Sequence, residues 1–368
     1  MAAPGALAAA DLAVRIGHVA PTSGWPDGVG IESENGARMA IEHLNARGIT
    51  VGGRRVAFAL VAADDAGDEA TARMAAARLV AAKVSGVVGH LTSGPTIAAA
   101  PVYANAGIPQ ISPSATSPAY TRLGLSTTFR LIADDTHVAR ALANHAVAEM
   151  KAQRVLVIDD RSRYGRGLAE EFSKIVVAAG GHVVESLHTN GRMTDFSALL
   201  SVVKDRNPDA IFFGGFDREA GLMIKQMKDL GIGATFLAGD GACTPDLVSY
   251  WSGGAASDDQ VVCATPAGVP GVGTPPVARF ALDYAKRFEV EPEFFAPYAY
   301  DAVMVMVDAM VRAGSTEPAK YLPALAATRD YRGVTGVISF DDKGDVREPA
   351  LGLFTYRDEE RLLIRIVR

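Results

Sequence analysis

The residues best placed to do chemistry are hydroxyls gathered in two loops. The first loop, Thr92-Ser93-Gly94-Pro95-Thr96, follows a short apolar run, Val84–Val88, that ends at Gly89. The second, Ser112-Pro113-Ser114-Ala115-Thr116, follows the run Ile108–Ile111. Each run reads as a buried parallel strand, and the alanine-rich stretch between them reads as a helix. The first loop opens that helix, and a helix N-terminus offers free backbone N–H groups and a partial positive charge. In open α/β sheets, ligands sit beyond the carboxyl ends of the strands. Two such loops side by side form a pocket for a small carboxylate. The plainer alternative is that Ser93 caps the helix and Ser112-Pro113 is an ordinary turn.

The elements that must hold these loops alternate between strand and helix. Val14–Val19 and Val56–Ala62 read as strands, with an amphipathic helix between them carrying Ala37, Ala40, Ile41 and Leu44 and stopped by Gly48. Phe129–Ile132 is a further strand, and Asp134-Asp135-Thr136 caps a helix that runs to about Met150. The pattern then restarts. Strands at Val155–Ile158, Val183-Val184, Ile211–Phe213 and Thr235–Ala238 alternate with helices lined by Leu168 and Phe172, by Leu199 and Val203, and by Met223 and Met227. Such alternation gives right-handed crossovers and a doubly wound parallel sheet. Two series imply two α/β lobes with a break near Asp134. A Pro- and Gly-rich stretch, Thr265–Pro276, precedes helices at Val277–Phe288 and Pro297–Ala313. Val337–Phe340, Leu351–Tyr356 and Leu362–Ile366 read as antiparallel strands, with a turn at Asp341–Asp345.

Composition narrows the class. A chain of 368 residues suits two domains, and 49% hydrophobic with 21% charged residues describes a large globular core. The net charge of -6 and pI of 5.7 offer no basic surface for nucleic acid. No apolar run reaches the roughly 18 residues of a membrane span. The start, Met1–Ala10, resembles the small-residue end of a secretory signal, with Ala6-Leu7-Ala8 as its cleavage site but without the charged and apolar parts. It is either a frayed cytoplasmic start or the remnant of a signal replaced by a start methionine, and the second reading is adopted. Cys243 and Cys263 fit neither a zinc site nor a redox pair. They are two buried thiols or one disulfide, and export favours the disulfide.

Catalytic patterns are missing from the sequence. There is no phosphate-binding glycine loop, no nucleophile elbow and no close histidine pair. Asp341–Asp345 is calcium-like in composition, but Lys343 and a missing glycine break the pattern. No metal, cofactor or nucleophile–base set is implied, which points to a binding protein.

With two lobes and two hydroxyl loops in place, the chain resembles the periplasmic leucine/isoleucine/valine-binding proteins of ABC importers, from Val14 to Ile366. The segments that carry the likeness are Gly89-His90-Leu91, Ser112–Thr116, Tyr164-Gly165-Arg166-Gly167, Asp195-Phe196, Gly214-Gly215-Phe216 and Asp341–Asp345. The resemblance implies two Rossmann-like lobes joined by three crossovers, near Asp134, Thr265 and Phe340, that close on the ligand. It divides the chain into a first lobe of 12–134 and 266–338 and a second of 135–265 and 339–368. It implies that Ser93 and Thr116 hold the ligand carboxylate, while Ser114, Asp135 and Asp240 face its ammonium. Tyr164 packs over the head group, and Trp25, Leu91, Thr92 and Phe216 complete the packing set. The ligand-binding domains of metabotropic glutamate receptors are similar at these positions. The chain departs from the family at Phe216, where a tyrosine is expected, and at Asp240, where a glutamate is expected. The aromatic expected near Val29 is absent, with Trp25 as its candidate replacement, and the family's cysteines near Gly67 and Thr92 are gone. The implied function is capture of a branched-chain or other hydrophobic L-amino acid, by an exported monomer, for delivery to a membrane permease. The alternative is a non-amino-acid carboxylate, such as an aromatic acid, or an amide.

Overall fold

Nine elements in chain order build one sheet and its covering helices: β1 (Leu12–Ala20), α1 (Val29–Arg47), β2 (Thr50–Val51), β3 (Arg54–Asp64), α2 (Glu69–Ala81), β4 (Gly86–Gly89), α3 (Ser93–Asn105), β5 (Gln110–Ser112) and β6 (Thr128–Arg130). The structure, a computed structural model, describes residues 12–24, 29–251, 260–267, 275–358 and 360–368. The signal-like start and Trp25 lie outside the described residues. The strand order is β2-β3-β1-β4-β5-β6, all parallel except β2 on β3. All four residues of β4 and all three of β5 are buried, as strands covered by helices on both faces must be.

A second series follows: α4 (Asp135–Asn144), β7 (Arg154–Asp159), α5 (Arg163–Ala178), β8 (His182–His188), α6 (Ser197–Arg206), β9 (Ala210–Gly214), α7 (Asp217–Asp229), β10 (Thr235–Ala238), α8 (Leu247–Trp251) and β11 (Val261–Pro266). A single π-helical turn, His145–Glu149, extends α4. The chain then contributes α9 (Pro275–Phe288), α10 (Ala296–Ala313), α11 (Pro318–Ala326), the short pair β12 (Tyr331–Arg332) and β13 (Val337–Ile338), and finally β14 (Leu351–Arg357) and β15 (Glu360–Val367). The second sheet has the order β15-β14-β11-β10-β9-β7-β8, antiparallel only through β14 and β15.

The two sheets share one logic. In each, the first strand of its series (β1, β7) lies between the second (β3, β8) and the third (β4, β9), so the winding direction reverses beside it. A crevice opens at that reversal, beyond the carboxyl ends of the strands. Helix α10 belongs with the first sheet, where it lies along α1. Their contact is close because Gly36 faces Ala296, and a Cβ there would stand 2.1 Å from the Ala296 carbonyl oxygen. α11 had no counterpart in the sequence reading, and β13 pairs with β12 rather than joining a sheet with β14 and β15. The turn at Asp341–Asp345 is closed by a bridge between Phe340 and Val346, and the Asp341 side chain accepts from the amides of Lys343 and Asp345 at 2.8 and 2.9 Å. One oxygen of that carboxylate is thus taken up by the turn itself.

Candidate ligand-binding site

The reversal points of the two sheets face one cavity of about 650 Å³, counted out to the solvent at its mouth. The first-sheet wall comes from the segments after β4 and β5: Leu91, Thr92, Ser93, Ser114, Ala115 and Thr116. Thr92, not Ser93, is the N-cap of α3, and its side chain makes no capping bond. Ser93 is the first helical residue, and its Oγ accepts from the Ser117 amide at 3.2 Å, which ties the two loops together. Ser112 Oγ reaches the His90 carbonyl at 3.0 Å and accepts from the Ala115 amide at 2.9 Å. Ser114 Oγ donates to the Leu91 carbonyl. Much of the hydroxyl content is therefore spent on folding the loops. The Oγ1 atoms of Thr92 and Thr116 are buried without a partner.

The second-sheet wall is made by Tyr164 at the start of α5, Phe216 and Asp217 at the start of α7, and Asp240, Gly241 and Thr244 after β10. Tyr164 Oη donates to Asp240 Oδ1 at 3.0 Å and accepts from the Gly241 amide at 2.9 Å. Its ring lies 5.3 Å from that of Phe216, tilted by 42°. Position 241 must be glycine for this packing, since a Cβ would fall 2.7 Å from the Tyr164 ring. Burial pushes the Asp240 carboxyl up to about 6, against which the Tyr164 hydroxyl bond works. The disulfide between Cys243 and Cys263 fastens the turn after Asp240 to β11, with Cα atoms 5.4 Å apart. The Cys243 amide also donates to the Asp240 carbonyl at 3.1 Å.

Asp135 stands behind this wall rather than in it. The helix cap is its neighbour Asp134, whose side chain accepts from the His137 amide. Asp135 is fully buried, and both of its carboxylate oxygens lack a hydrogen-bond partner. Burial holds its carboxyl well above the usual range, and the nearby charge of Asp240 adds to that. The Thr116 hydroxyl beside it offsets part of the cost without reaching a well-formed hydrogen bond. A charge so placed is costly unless it is neutralised.

The third side of the cavity escaped sequence reasoning. Glu293, Phe294 and Phe295 precede α10, and Glu32 lies in the first turn of α1. The Glu32 carboxylate accepts from the amides of Glu293, Phe294, Phe295 and Ala296 at 2.8–3.2 Å, so it caps α10 across the lobe. The paired phenylalanines before a helix were the available signal. Asp217 accepts from Thr244 Oγ1 at 2.8 Å. Burial raises its carboxyl, as it raises that of Glu293 to about 7, where the acids Asp246, Glu32 and Asp217 add to the effect. Across the cleft, Arg163 of α5 pairs with Glu69 of α2 at 3.0 Å, joining the two halves.

Of the residues singled out in the sequence, Leu91, Thr92, Ser93, Ser114, Thr116, Tyr164, Phe216 and Asp240 line one cavity. Asp135 lies just behind it, and Trp25 is outside the described residues.

Two α/β lobes with a ligand-sized cleft between their reversal points define the type I periplasmic binding fold. A family model described as periplasmic binding protein matches residues 13–356, and the chain belongs to that family. It is 33% identical over 357 residues to Leu/Ile/Val-binding protein homolog 1 of Brucella abortus (strain 2308), covering 96% of this chain and 92% of that one. Among solved structures it is similar to the leucine-binding protein LivK from Thermotoga maritima, with a TM-score of 0.87, 29% identity, and coverage of 96% and 98%. It is also similar to LivJ from Streptococcus pneumoniae in complex with isoleucine, with a TM-score of 0.85, 28% identity, and the same coverage. The family is one of extracytoplasmic solute-binding proteins of ABC importers, which pass a small molecule to a membrane permease. No helix among the described residues is long and apolar enough to cross a membrane.

Proposed function

We propose that this protein captures a hydrophobic L-amino acid, with leucine, isoleucine or valine as the default, in the periplasm. It acts as a monomeric, non-catalytic carrier that delivers its ligand to the permease of an ABC importer. One observation carries the reading: Asp240 and Asp135 are buried together, Asp135 with no hydrogen-bond partner on either carboxylate oxygen among the described residues, opposite loops of hydroxyls and a helix N-terminus. Such a cleft matches a zwitterion. Ser93, Thr116 and the α3 N-terminus take the carboxylate. Asp240, backed by Asp135 and the Ser114 carbonyl, takes the ammonium. Tyr164 lies over the head group, and Leu91, Thr92, Phe216, Phe294 and Phe295 shape the apolar remainder. The lobes are assigned as 12–134 with 266–338, and 135–265 with 339–368, and ligand favours the closed state because it touches both.

Native mass measurement of the purified protein, followed by calorimetry with leucine, isoleucine, valine, phenylalanine and their des-amino acids, tests the reading. A retained amino-acid mass and tighter binding of the amino acids than of their des-amino counterparts are expected. Preference for a des-amino acid would overturn it in favour of a simple carboxylate.

A further inference from the structure

Arg130, on β6, is the largest fully buried side chain described, and it does not line the cavity. Its guanidinium is fully spent. Nη1 donates to the carbonyls of Ala115 and Ser117 at 3.2 and 2.8 Å. Nη2 donates to Thr121 Oγ1 at 3.0 Å, and Nε and Nη2 donate to Asp345 Oδ1 at 2.9 and 2.5 Å. The other Asp345 oxygen accepts from Thr121 Oγ1 at 3.0 Å, and the Arg130 amide donates to the Gly344 carbonyl at 2.9 Å. One rigid fork thus grips two segments that are far apart in sequence. The first is the loop 114–117, which faces the cavity. The second is the turn 341–345, which lies on the chain's last passage from the first sheet's side to β14 in the second. Phe340 packs against Phe129 beside it, with ring centroids 5.0 Å apart.

We infer that Arg130 is a positioning residue that holds the ligand-facing loop in shape and registers it against the third connection between the lobes. The inference rests on the cleft being the ligand site. A buried guanidinium cannot give up a partner cheaply, so the loop carbonyls, Thr121 and Asp345 must move together or not at all. The loop carries consequences on both sides: the Ser117 amide holds Ser93 Oγ, and the Thr116 carbonyl accepts from the Asp135 amide at 2.8 Å. A displacement of the third connection therefore reaches both the carboxylate end and the ammonium end of the site through this one cation. A planar fork is needed for that, and a lysine could keep the charge pair with Asp345 but not both carbonyls as well.

The test compares Arg130→Met, Arg130→Lys and Asp345→Asn with the parent protein. Hydrogen exchange of residues 114–117 is read without ligand. Leucine affinity is read by calorimetry. The distance between the lobes is read by spin labels at Met74→Cys and Val177→Cys, exposed positions on α2 and α5. Arg130→Met should raise exchange at 114–117 at least tenfold, with little change elsewhere, and weaken leucine at least tenfold. Arg130→Lys should fall between Met and the parent. Asp345→Asn should leave exchange at 114–117 within twofold but broaden the distance distribution between the lobes. Exchange and affinity within twofold of the parent in Arg130→Met would overturn the inference. If Arg130→Met does not fold, Arg130→Lys decides for the loop and Asp345→Asn for the connection: a rise confined to 114–117 in the lysine variant and a broadened distance distribution in the asparagine variant support it, and unchanged or uniform exchange in the lysine variant, or an unchanged distance distribution in the asparagine variant, overturns it. The exchange measurement needs no ligand, so failure of leucine to bind the parent protein would count against the ligand assignment and leave this test standing.

Discussion

The two walls of the cleft solve opposite electrostatic problems. The first-sheet wall is neutral, and most of its polar atoms are already satisfied: Ser93, Ser112 and Ser114 hold the loops, and Arg130 clamps the carbonyls behind them. The second-sheet wall is acidic, with the Asp240 carboxyl pushed up to about 6 by burial, and Asp135 lies behind it with neither carboxylate oxygen hydrogen-bonded. On the proposed reading, the first wall takes the anion, because backbone amides and hydroxyls need no countercharge. On the same reading, the second wall takes the cation. A buried acid pair gains more from an incoming ammonium than a satisfied hydroxyl gains from a carboxylate, so the second wall should carry the discrimination and the first the general grip.

Removing the charge at Asp240 should break this contrast most severely. Asp240→Asn is expected to weaken an L-amino acid by about 2 kcal/mol or more while affecting the des-amino acid much less. Calorimetry on both proteins checks it, and equal losses for both ligands would mean that the second wall is not reading positive charge.

Acidity should produce the next largest effect, and with opposite signs in the free and bound protein. The Asp240 carboxyl titrates near 6 instead of 3.8, so the folded protein binds a proton more readily than the unfolded chain between those values. For this group, stability of the free protein rises as pH falls through 6. Amino-acid affinity should hold above about 6 and fall by up to tenfold for each pH unit below, because the acid must lose its proton to meet the ammonium. Titration calorimetry between pH 8 and 5 in buffers of different ionisation enthalpy would show the proton release. A flat profile would separate Asp240 from the bound charge.

The smallest change should come from the neutral wall. Thr116→Val removes a buried hydroxyl that makes no well-formed hydrogen bond, so the free protein should lose only the modest support that this group gives Asp135. Binding should weaken by about 1 kcal/mol, and by the same amount for the amino acid and its des-amino acid, since both present a carboxylate. Unequal losses for the two ligands would show that Thr116 acts through Asp135 instead.

Much of this architecture could be read before any coordinates. Apolar runs such as 211–213 and 235–238, alternating with amphipathic helices, determined two doubly wound sheets, because a strand covered on both faces must be apolar throughout and parallel strands need helical crossovers. The strand ends then determined where a ligand would bind, and local hydroxyl content marked the loops after β4 and β5. The tertiary structure alone decided how those hydroxyls are used, since Ser112 and Ser114 turn inward to bond to residues more than twenty positions away. It alone brought Glu32 to the amides at the start of α10, 261 to 264 residues further along the chain, and so placed Phe294 and Phe295 in the cleft. It moved the helix caps to Thr92 and Asp134, leaving Ser93 exposed to a partner across the loop and Asp135 alone in the interior. Periodicity is a property of neighbours along the chain and is written in the sequence. Charge burial and long-range partners depend on what the folded chain sets beside each group, and no local pattern records them.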